Sequence, residues 1–492
     1  MTPTPSDLRV RREQRLARLP SLLSERILVM DGATGTLVQG HGLTEADFRG
    51  GRFAGHPHDL AGNNDVLCLT RPDVVAGIHR AYLDAGADVI ETNSFNATTV
   101  SQEGYGTAGL VREISERAAR IARAAADEAE VRDPGRPRFV AGSMGPTSRM
   151  ASLPHDFMDP GSRGVTFDEL RATYGDSATG LVEGGADLLL VETAYDALNV
   201  KAALFGIEEA FEALGARVPV MVSATVGKGR RTLTGQTVEA FWNAVAPFRP
   251  FSFGLNCGSG AADLRPALEE AAACAAVFVS AYPNAGLPDE KGAYGETPEV
   301  TAAALGEIAR AGLVNIVGGC CGTTPDHVRA IAAAVAGVRP RAVPDAGDLV
   351  RLGGLRPVSV PAAELPGLIR EAEAAGSDPD ALAAALAAGE FEDAIDLVRR
   401  QPDEGARLVV IDTGSARIDP AVMTRFTNLL VAEPDIGALS FAFRSTSPEA
   451  VEAALKCLQG RPVVLAGATE AGDGGDARLE RLGALVVRGI AE

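Results

Sequence analysis

Residues 27 to about 337 predict a closed (β/α)8 barrel (TIM barrel), and the rest of the chain predicts a smaller, incomplete α/β domain. Three observations lead there. A short apolar, β-rich run ending in polar or glycine residues recurs eight times, each run followed by a helical stretch. Such alternation means parallel strands joined by helical crossovers. No G-x-G-x-x-G opens the first helix, which disfavours the alternative, an open doubly wound sheet. After residue 337 the texture changes: residues 338–366 carry five prolines and several glycines.

The eight runs are Ile27–Met30, Asp88–Glu91, Phe139–Gly142, Leu188–Glu192, Pro219–Ala224, Ser252–Leu255, Phe278–Ala281 and Val314–Gly318. Between them lie helical segments such as Pro72–Ala85, Val111–Ala129, Phe167–Gly184, Val200–Leu214, Ala262–Ala275 and Thr301–Ala311. Ahead of the first run, leucines 8, 16, 19, 22 and 23 recur at roughly helical spacing. Acidic residues interrupt the six arginines of this segment, so it reads as an amphipathic helix rather than a targeting peptide. The expected organisation is a barrel over 1–340, a linker over 341–366 and a truncated α/β domain over 367–492. That last segment alternates through Leu408–Asp412, Ala450–Leu458, Val463–Ala466 and Ala484–Val487, with a loose turn at Gly472–Gly475. It is too short for a second eight-stranded barrel, which takes ~250 residues.

Composition narrows the function classes. The 492 residues are 46% hydrophobic and 23% charged, as expected of a globular protein with a sizeable core. A formal charge of −19 repels phosphate backbones and argues against nucleic-acid binding. No apolar run approaches the ~18–20 residues that span a bilayer. Six cysteines without a secretory signal imply reduced thiols, and the expected location is the cytoplasm.

The chemistry concentrates where strands end, as it does in (β/α)8 enzymes. Gly254-Leu255-Asn256-Cys257-Gly258 closes strand six and Gly318-Gly319-Cys320-Cys321-Gly322 closes strand eight. A barrel brings both ends to one rim, and three converging thiolates suit Zn²⁺ with a fourth position open. The competing reading makes each a small buried residue, as expected for Cys68, Cys274 and Cys457, which lie inside apolar or helical runs. A vicinal disulfide is disfavoured by the strain it puts on the peptide between its residues. No histidines show metal-ligand spacing. Zinc already neutralised by three thiolates is a poor hydrolytic Lewis acid, but it can hold a substrate thiol as thiolate near neutral pH. Alkyl transfer to sulfur fits better than hydrolysis. Asp31-Gly32-Ala33-Thr34-Gly35-Thr36 and Glu192-Thr193 add two carboxylates and an amide-rich turn, groups that bind an amino acid's ammonium and carboxylate. Glu91-Thr92-Asn93, Gly145-Pro146-Thr147 and Pro283-Asn284-Ala285-Gly286 end strands two, three and seven.

From about residue 20 to 340 these motifs, with Gly62-Asn63-Asn64-Asp65 and Asn315-Ile316-Val317-Gly318-Gly319-Cys320-Cys321-Gly322-Thr323-Thr324, resemble the homocysteine-binding module of cobalamin-dependent methionine synthase. The resemblance implies a homocysteine S-methyltransferase with zinc on Cys257, Cys320 and Cys321. It implies homocysteine held through Asp31 and Glu192, with Gly32, Thr34, Asn93 and Asn284 as further substrate contacts. Zinc-bound homocysteine thiolate would attack a methyl donor and give methionine. The expected donor is methylcobalamin on a separate corrinoid protein, with a sulfonium or betaine-type donor as the alternative. A non-catalytic subunit of a split methionine synthase is a third reading, which the intact cysteine trio disfavours. Arg351–Pro357, Arg425–Leu430 and Leu455–Gly460 resemble the start of that family's methyltetrahydrofolate-binding barrel. The family's N-x-G-E-R-x-N stretch is absent, D-x-N reads Asp412-Thr413-Gly414, and Arg444 stands at a pterin-binding aspartate position, so folate binding is not expected.

Overall fold

The computed structural model describes residues 5–466 and 473–488. Eight parallel strands form one sheet: β1 (Leu28–Val29), β2 (Val89–Glu91), β3 (Phe139–Met144), β4 (Leu188–Ala194), β5 (Val220–Ala224), β6 (Ser252–Asn256), β7 (Phe278–Tyr282) and β8 (Ile316–Val317). Their order is β1-β8-β7-β6-β5-β4-β3-β2. The seam between β1 and β2 is closed by a parallel bridge between Met30 and Val89. The Asp31 N–H donates to the Val89 carbonyl (3.0 Å) and the Asp88 N–H to the Val29 carbonyl (2.7 Å). The fold is the expected (β/α)8 barrel.

Strand residues alternate between two cores, as closure requires. Leu28, Met30, Phe139, Leu188, Leu190, Met221 and Ile316 fill the barrel interior. Val29, Ile90, Val140, Leu189, Val222, Phe253 and Val317 face the surrounding helices. The N-terminal segment is a helix, Pro5–Glu25. Its Leu19 and Leu23 are buried in the interior cluster, so it plugs the barrel floor. No helix among the described residues is long and apolar enough to cross a membrane.

Residues 341–366, expected as a linker, carry an antiparallel hairpin of β9 (Leu349–Gly353) and β10 (Pro357–Pro361). A four-stranded parallel sheet follows: β11 (Leu408–Asp412), β12 (Ser440–Arg444), β13 (Val463–Ala466) and β14 (Leu485–Arg488), in that spatial order. β12 was not anticipated from sequence. Gly472 of the expected loose turn lies outside the described residues, and Asp473–Arg481 is a helix rather than a turn. The hairpin and helix Leu365–Ala374 cover one sheet face through Leu352, Val360, Leu368 and Ile369. The other face, through Val409, Ile411, Phe441 and Phe443, belongs to one apolar core continuous with the barrel. Buried Lys201 of helix Ala197–Leu214 donates to the carbonyls of Leu458 and Gly460, both at 3.0 Å. One apolar face of the C-terminal sheet thus shares a core with the barrel.

Candidate active site

The C-terminal rim of the barrel collects the predicted residues. β6 ends at Asn256, and the chain then turns through Cys257 at φ 58° and Gly258 at φ 70°. A left-handed cysteine persists only where its surroundings enforce it. Asn256, fully buried, is part of that enforcement. Its Oδ1 accepts from the Thr193 N–H (3.0 Å) and the Ser223 hydroxyl (2.7 Å), and its Nδ2 donates to Thr193 Oγ1 (2.7 Å). Thr193 is itself left-handed, at φ 53°. One amide therefore fixes the ends of β4, β5 and β6 together.

After β8, Cys320 donates its N–H to the Pro283 carbonyl (2.7 Å), and the Cys321 carbonyl accepts from the Ala285 N–H (2.9 Å). Gly322, at φ 82°, has Tyr294 Cβ only 2.3 Å from where its own Cβ would stand, so neither the turn nor that contact admits another residue. The Gly322 N–H donates to Thr36 Oγ1 (3.0 Å), the Ala33 N–H to Thr323 Oγ1 (3.2 Å) and the Gly319 N–H to the Asp31 carbonyl (3.0 Å). These bonds staple the two-cysteine turn to the turn after β1.

The sulfurs of Cys257, Cys320 and Cys321 lie within 4.8 Å of one another, and Cys320 and Cys321 are 4.0 Å apart. Three sulfurs around a tetrahedral Zn²⁺ at ~2.3 Å each stand ~3.8 Å apart, so a small contraction would complete the site. All are free thiols. Hydrogen bonds from the Cys320 and Cys321 thiols bring Cys257 down to about 3, and donating to Cys257 moves both partners up. Burial above all pushes Cys274 and Cys457 up to about 12 and Cys68 higher still, with nearby carboxylates adding to it at Cys274 and Cys68, as expected of inert structural thiols. Asn284 hydrogen-bonds Cys257, while its own Oδ1 is buried without a partner.

Beside the sulfurs stand three carboxylates. Asp31, 1% exposed, accepts from the Glu91 N–H at 3.0 Å through Oδ2, and its Oδ1 is buried without a partner. Glu192, 2% exposed, accepts from the Ser143 hydroxyl at 2.5 Å. Burial raises Asp31, Glu91 and Glu192 together, Glu192 to about 7, and mutual repulsion adds to it for Asp31 and Glu91. None of the three is in an ion pair among the described residues. Gly32 packs on Thr323 and Tyr82, and half-buried Thr34 opens helix Thr34–Gly40, whose N-terminus has no side-chain cap. The Asn93 amide N–H goes to the Asn64 carbonyl (2.7 Å), on the loop side of the rim. Sequence reasoning missed Ser143, the bracing role of Asn256, and Tyr294, whose hydroxyl bonds Cys321. Only Asn256 lies within one of the motifs, and no local signal marks Ser143 or Tyr294.

The sequence model of the family described as homocysteine S-methyltransferase matches residues 28–335, well over half the chain. The fold is similar to the homocysteine methyltransferase MmuM from Escherichia coli in its metallated form, with TM-score 0.50 and 21% identity over 65% of this chain and 99% of that one. The oxidised form of the same protein matches with the same values. The motifs at the ends of β1, β6 and β8 all fall inside the matched region, and the chain belongs to the homocysteine S-methyltransferase family.

Proposed function

We propose that the chain transfers a methyl group to the sulfur of homocysteine, using zinc held by Cys257, Cys320 and Cys321. The observation that carries this reading is the convergence of three thiols beside three buried carboxylates with no basic side chain paired to them among the described residues. The metallated form of the Escherichia coli relative supports a metal in this fold. When bound, zinc supplies a fourth position at which a substrate thiol loses its proton near neutral pH. Asp31 and Glu192 receive the substrate ammonium, and Ser143 holds Glu192 at its place on the rim. The Gly32 and Thr34 N–H groups of the turn after β1 serve the substrate carboxylate, with Asn93 and Asn284 bounding the site. A C–S bond forms as the donor–methyl bond breaks, and the leaving group keeps the electron pair. The enzyme's share is thiolate activation and in-line orientation. Residues 1–340 form this catalytic unit.

We assign methylcobalamin, carried by a separate corrinoid protein, as the donor, because the rim motifs resemble the cobalamin-dependent branch. Methyltetrahydrofolate is not assigned to the C-terminal domain. At the ends of β11 and β12, Arg444 pairs with Glu373 and, at 3.6 Å, with Asp412, whose Oδ1 accepts the Gly414 N–H (2.8 Å). Polar groups a pterin would need are engaged with one another. The test is methionine formation from homocysteine with free methylcobalamin, a methylated corrinoid protein, S-methylmethionine and betaine. Turnover with methylcobalamin in either form is expected. Turnover with a sulfonium or betaine alone would overturn the donor assignment, and none with any donor would overturn the activity.

A further inference from the structure

The C-terminal domain has no part in the chemistry above, yet it touches the barrel at two loops of the active-site rim. The first runs from β3 to helix Phe167–Gly184. Its base is fixed within the barrel: the Ala151 N–H donates to Asn199 Oδ1 (2.9 Å) and the Ser152 hydroxyl to Asp196 Oδ2 (2.8 Å). Its tip is fixed by helix Pro420–Ala432 of the C-terminal domain. Arg425 pairs with Asp159 at 2.6 Å, Arg163 donates to the Asn428 carbonyl at 3.0 Å, and Asn428 Nδ2 reaches the Gly161 carbonyl at 3.4 Å. The Arg425 guanidinium lies on Gly161, with Nη1 2.2 Å from where a Cβ would be, so the contact exists only because that residue has no side chain.

The second loop joins β5 to helix Val238–Val245. It begins against the metal-site turn: the Val226 carbonyl lies 2.6 Å from a would-be Gly258 Cβ, and Thr225 Oγ1 donates to the Asn256 carbonyl (2.9 Å). It ends on the β9–β10 turn, where the Thr237 N–H donates to the Leu355 carbonyl (3.2 Å) and Gln236 Nε2 to the Gly354 carbonyl (2.9 Å). A cavity of about 300 Å³, lined by Ser152, Leu153, Thr234, Leu355 and Leu458, lies between both loops and the domain. Beside this cavity, discrete hydrogen bonds and an ion pair tie the loops to the domain. The first loop also carries Phe157 and Met158, 99% and 90% exposed.

We propose that the C-terminal domain braces the mouth of the barrel, with Arg425 as a positioning residue that holds the loop 152–164 through Asp159 and Gly161. The claim that this loop borders the donor's path rests on the function proposed above; the claim that Arg425 holds it does not. Loss of the tether should let the loop open locally, and proteolysis of a native chain reads such opening.

The experiment uses the full chain and the variants Arg425→Ala, Asp159→Asn and Arg425→Lys. Asp159→Asn breaks the same pair from the loop side, so a folding defect in one variant leaves the other informative. Cleavage by chymotrypsin after Phe157 under native conditions is expected to be at least about fivefold faster in Arg425→Ala and Asp159→Asn. Arg425→Lys, which keeps the charge, should stay within about twofold of the parent. With saturating homocysteine, the KM for free methylcobalamin should rise about threefold or more, with kcat and zinc content unchanged. Unchanged cleavage in both variants overturns the brace. Faster cleavage with an unchanged KM overturns the loop's place in the mouth. If the parent chain does not use methylcobalamin, the donor assignment has failed, and the brace is judged by cleavage alone.

Discussion

An aspartate immediately precedes each of β2 and β4 on the barrel floor and a glutamate lies toward the rim of each, and the barrel treats the two ends in opposite ways. On the floor, buried Asp88 pairs with Arg26 and Arg136, both at 2.7 Å, and accepts the Val29 N–H at 3.0 Å. Buried Asp187 pairs with Arg15 and Arg123, both at 2.8 Å, and accepts the Val140 N–H at 2.9 Å. Burial pushes Asp88 up, but the Arg26 and Arg136 guanidiniums outweigh it and leave it below the usual range. On the rim, Glu91, Glu192 and nearby Asp31 are raised, and no arginine or lysine among the described residues pairs with them. Buried charge without a counter-charge is costly, so a chain that supplies arginines below and, among the described residues, none above has left the upper charge to something else. On the proposed function, that cation is the homocysteine ammonium. The lower carboxylates serve folding, and the upper ones are held ready for a ligand at some cost in stability.

The largest effect is expected where neither end's carboxylates are touched. Cys320→Ser should lose most of the bound zinc, measured by metal analysis, and cut methionine formation roughly a hundredfold or more, since three ligands are needed for a tight site. Full zinc occupancy in the Cys257, Cys320, Cys321 triple serine variant would remove the metal from the account.

Next comes the floor. Asp187→Asn leaves Arg15 and Arg123 buried without their counter-charge and should cost about 3–5 kcal/mol in urea unfolding. The affinity of the folded remainder for homocysteine should not change.

The rim should respond with the opposite sign. Glu192→Gln relieves repulsion, so the substrate-free protein should lose no stability, while the KM for homocysteine rises about tenfold with zinc retained. A pH profile sharpens the contrast. Glu192 keeps its proton up to about 7 in the folded chain against an ordinary value of 4.5. The folded chain thus binds more protons than the unfolded one across that window, and stability should fall as pH rises through it. Glu192→Gln should flatten the slope. A stability loss like that of Asp187→Asn would erase the distinction between the two ends.

The smallest effect is expected at Tyr294, which supports a sulfur through a hydrogen bond and its packing on Gly322. Tyr294→Phe should speed zinc loss to a chelator by up to roughly tenfold, with homocysteine recognition unaltered.

The barrel was legible in sequence because parallel buried strands are apolar runs that break off at polar residues, as at Leu188–Glu192 and Ser252–Leu255. The hairpin of β9 and β10 was not, because Pro357 and Pro361 read as linker residues. They are tolerated because β10 pairs only with β9, on one side. The rim cysteines and carboxylates could be found because each closes a strand with an unusual residue. What could not be found is who partners whom. Asn256 joins β4, β5 and β6 through bonds to Thr193 and Ser223, Ser143 meets Glu192 across 49 residues, and Tyr294 reaches Cys321 from another loop. Nor does local sequence distinguish Asp88, satisfied by arginines, from Asp31, which has none.

That last distinction can be measured directly by titrating the zinc-loaded protein with homocysteine and with 4-mercaptobutyrate, which keeps the thiol and carboxylate but lacks the amine. In the parent chain homocysteine should bind more tightly by about tenfold or more, the worth of a hydrogen bond to a charged group. In the Asp31→Asn, Glu192→Gln double variant that difference should collapse, because the groups that read the ammonium are gone. A parent chain that binds both ligands equally, or a double variant that keeps the full preference, would contradict the claim that the rim carboxylates await the substrate's cation.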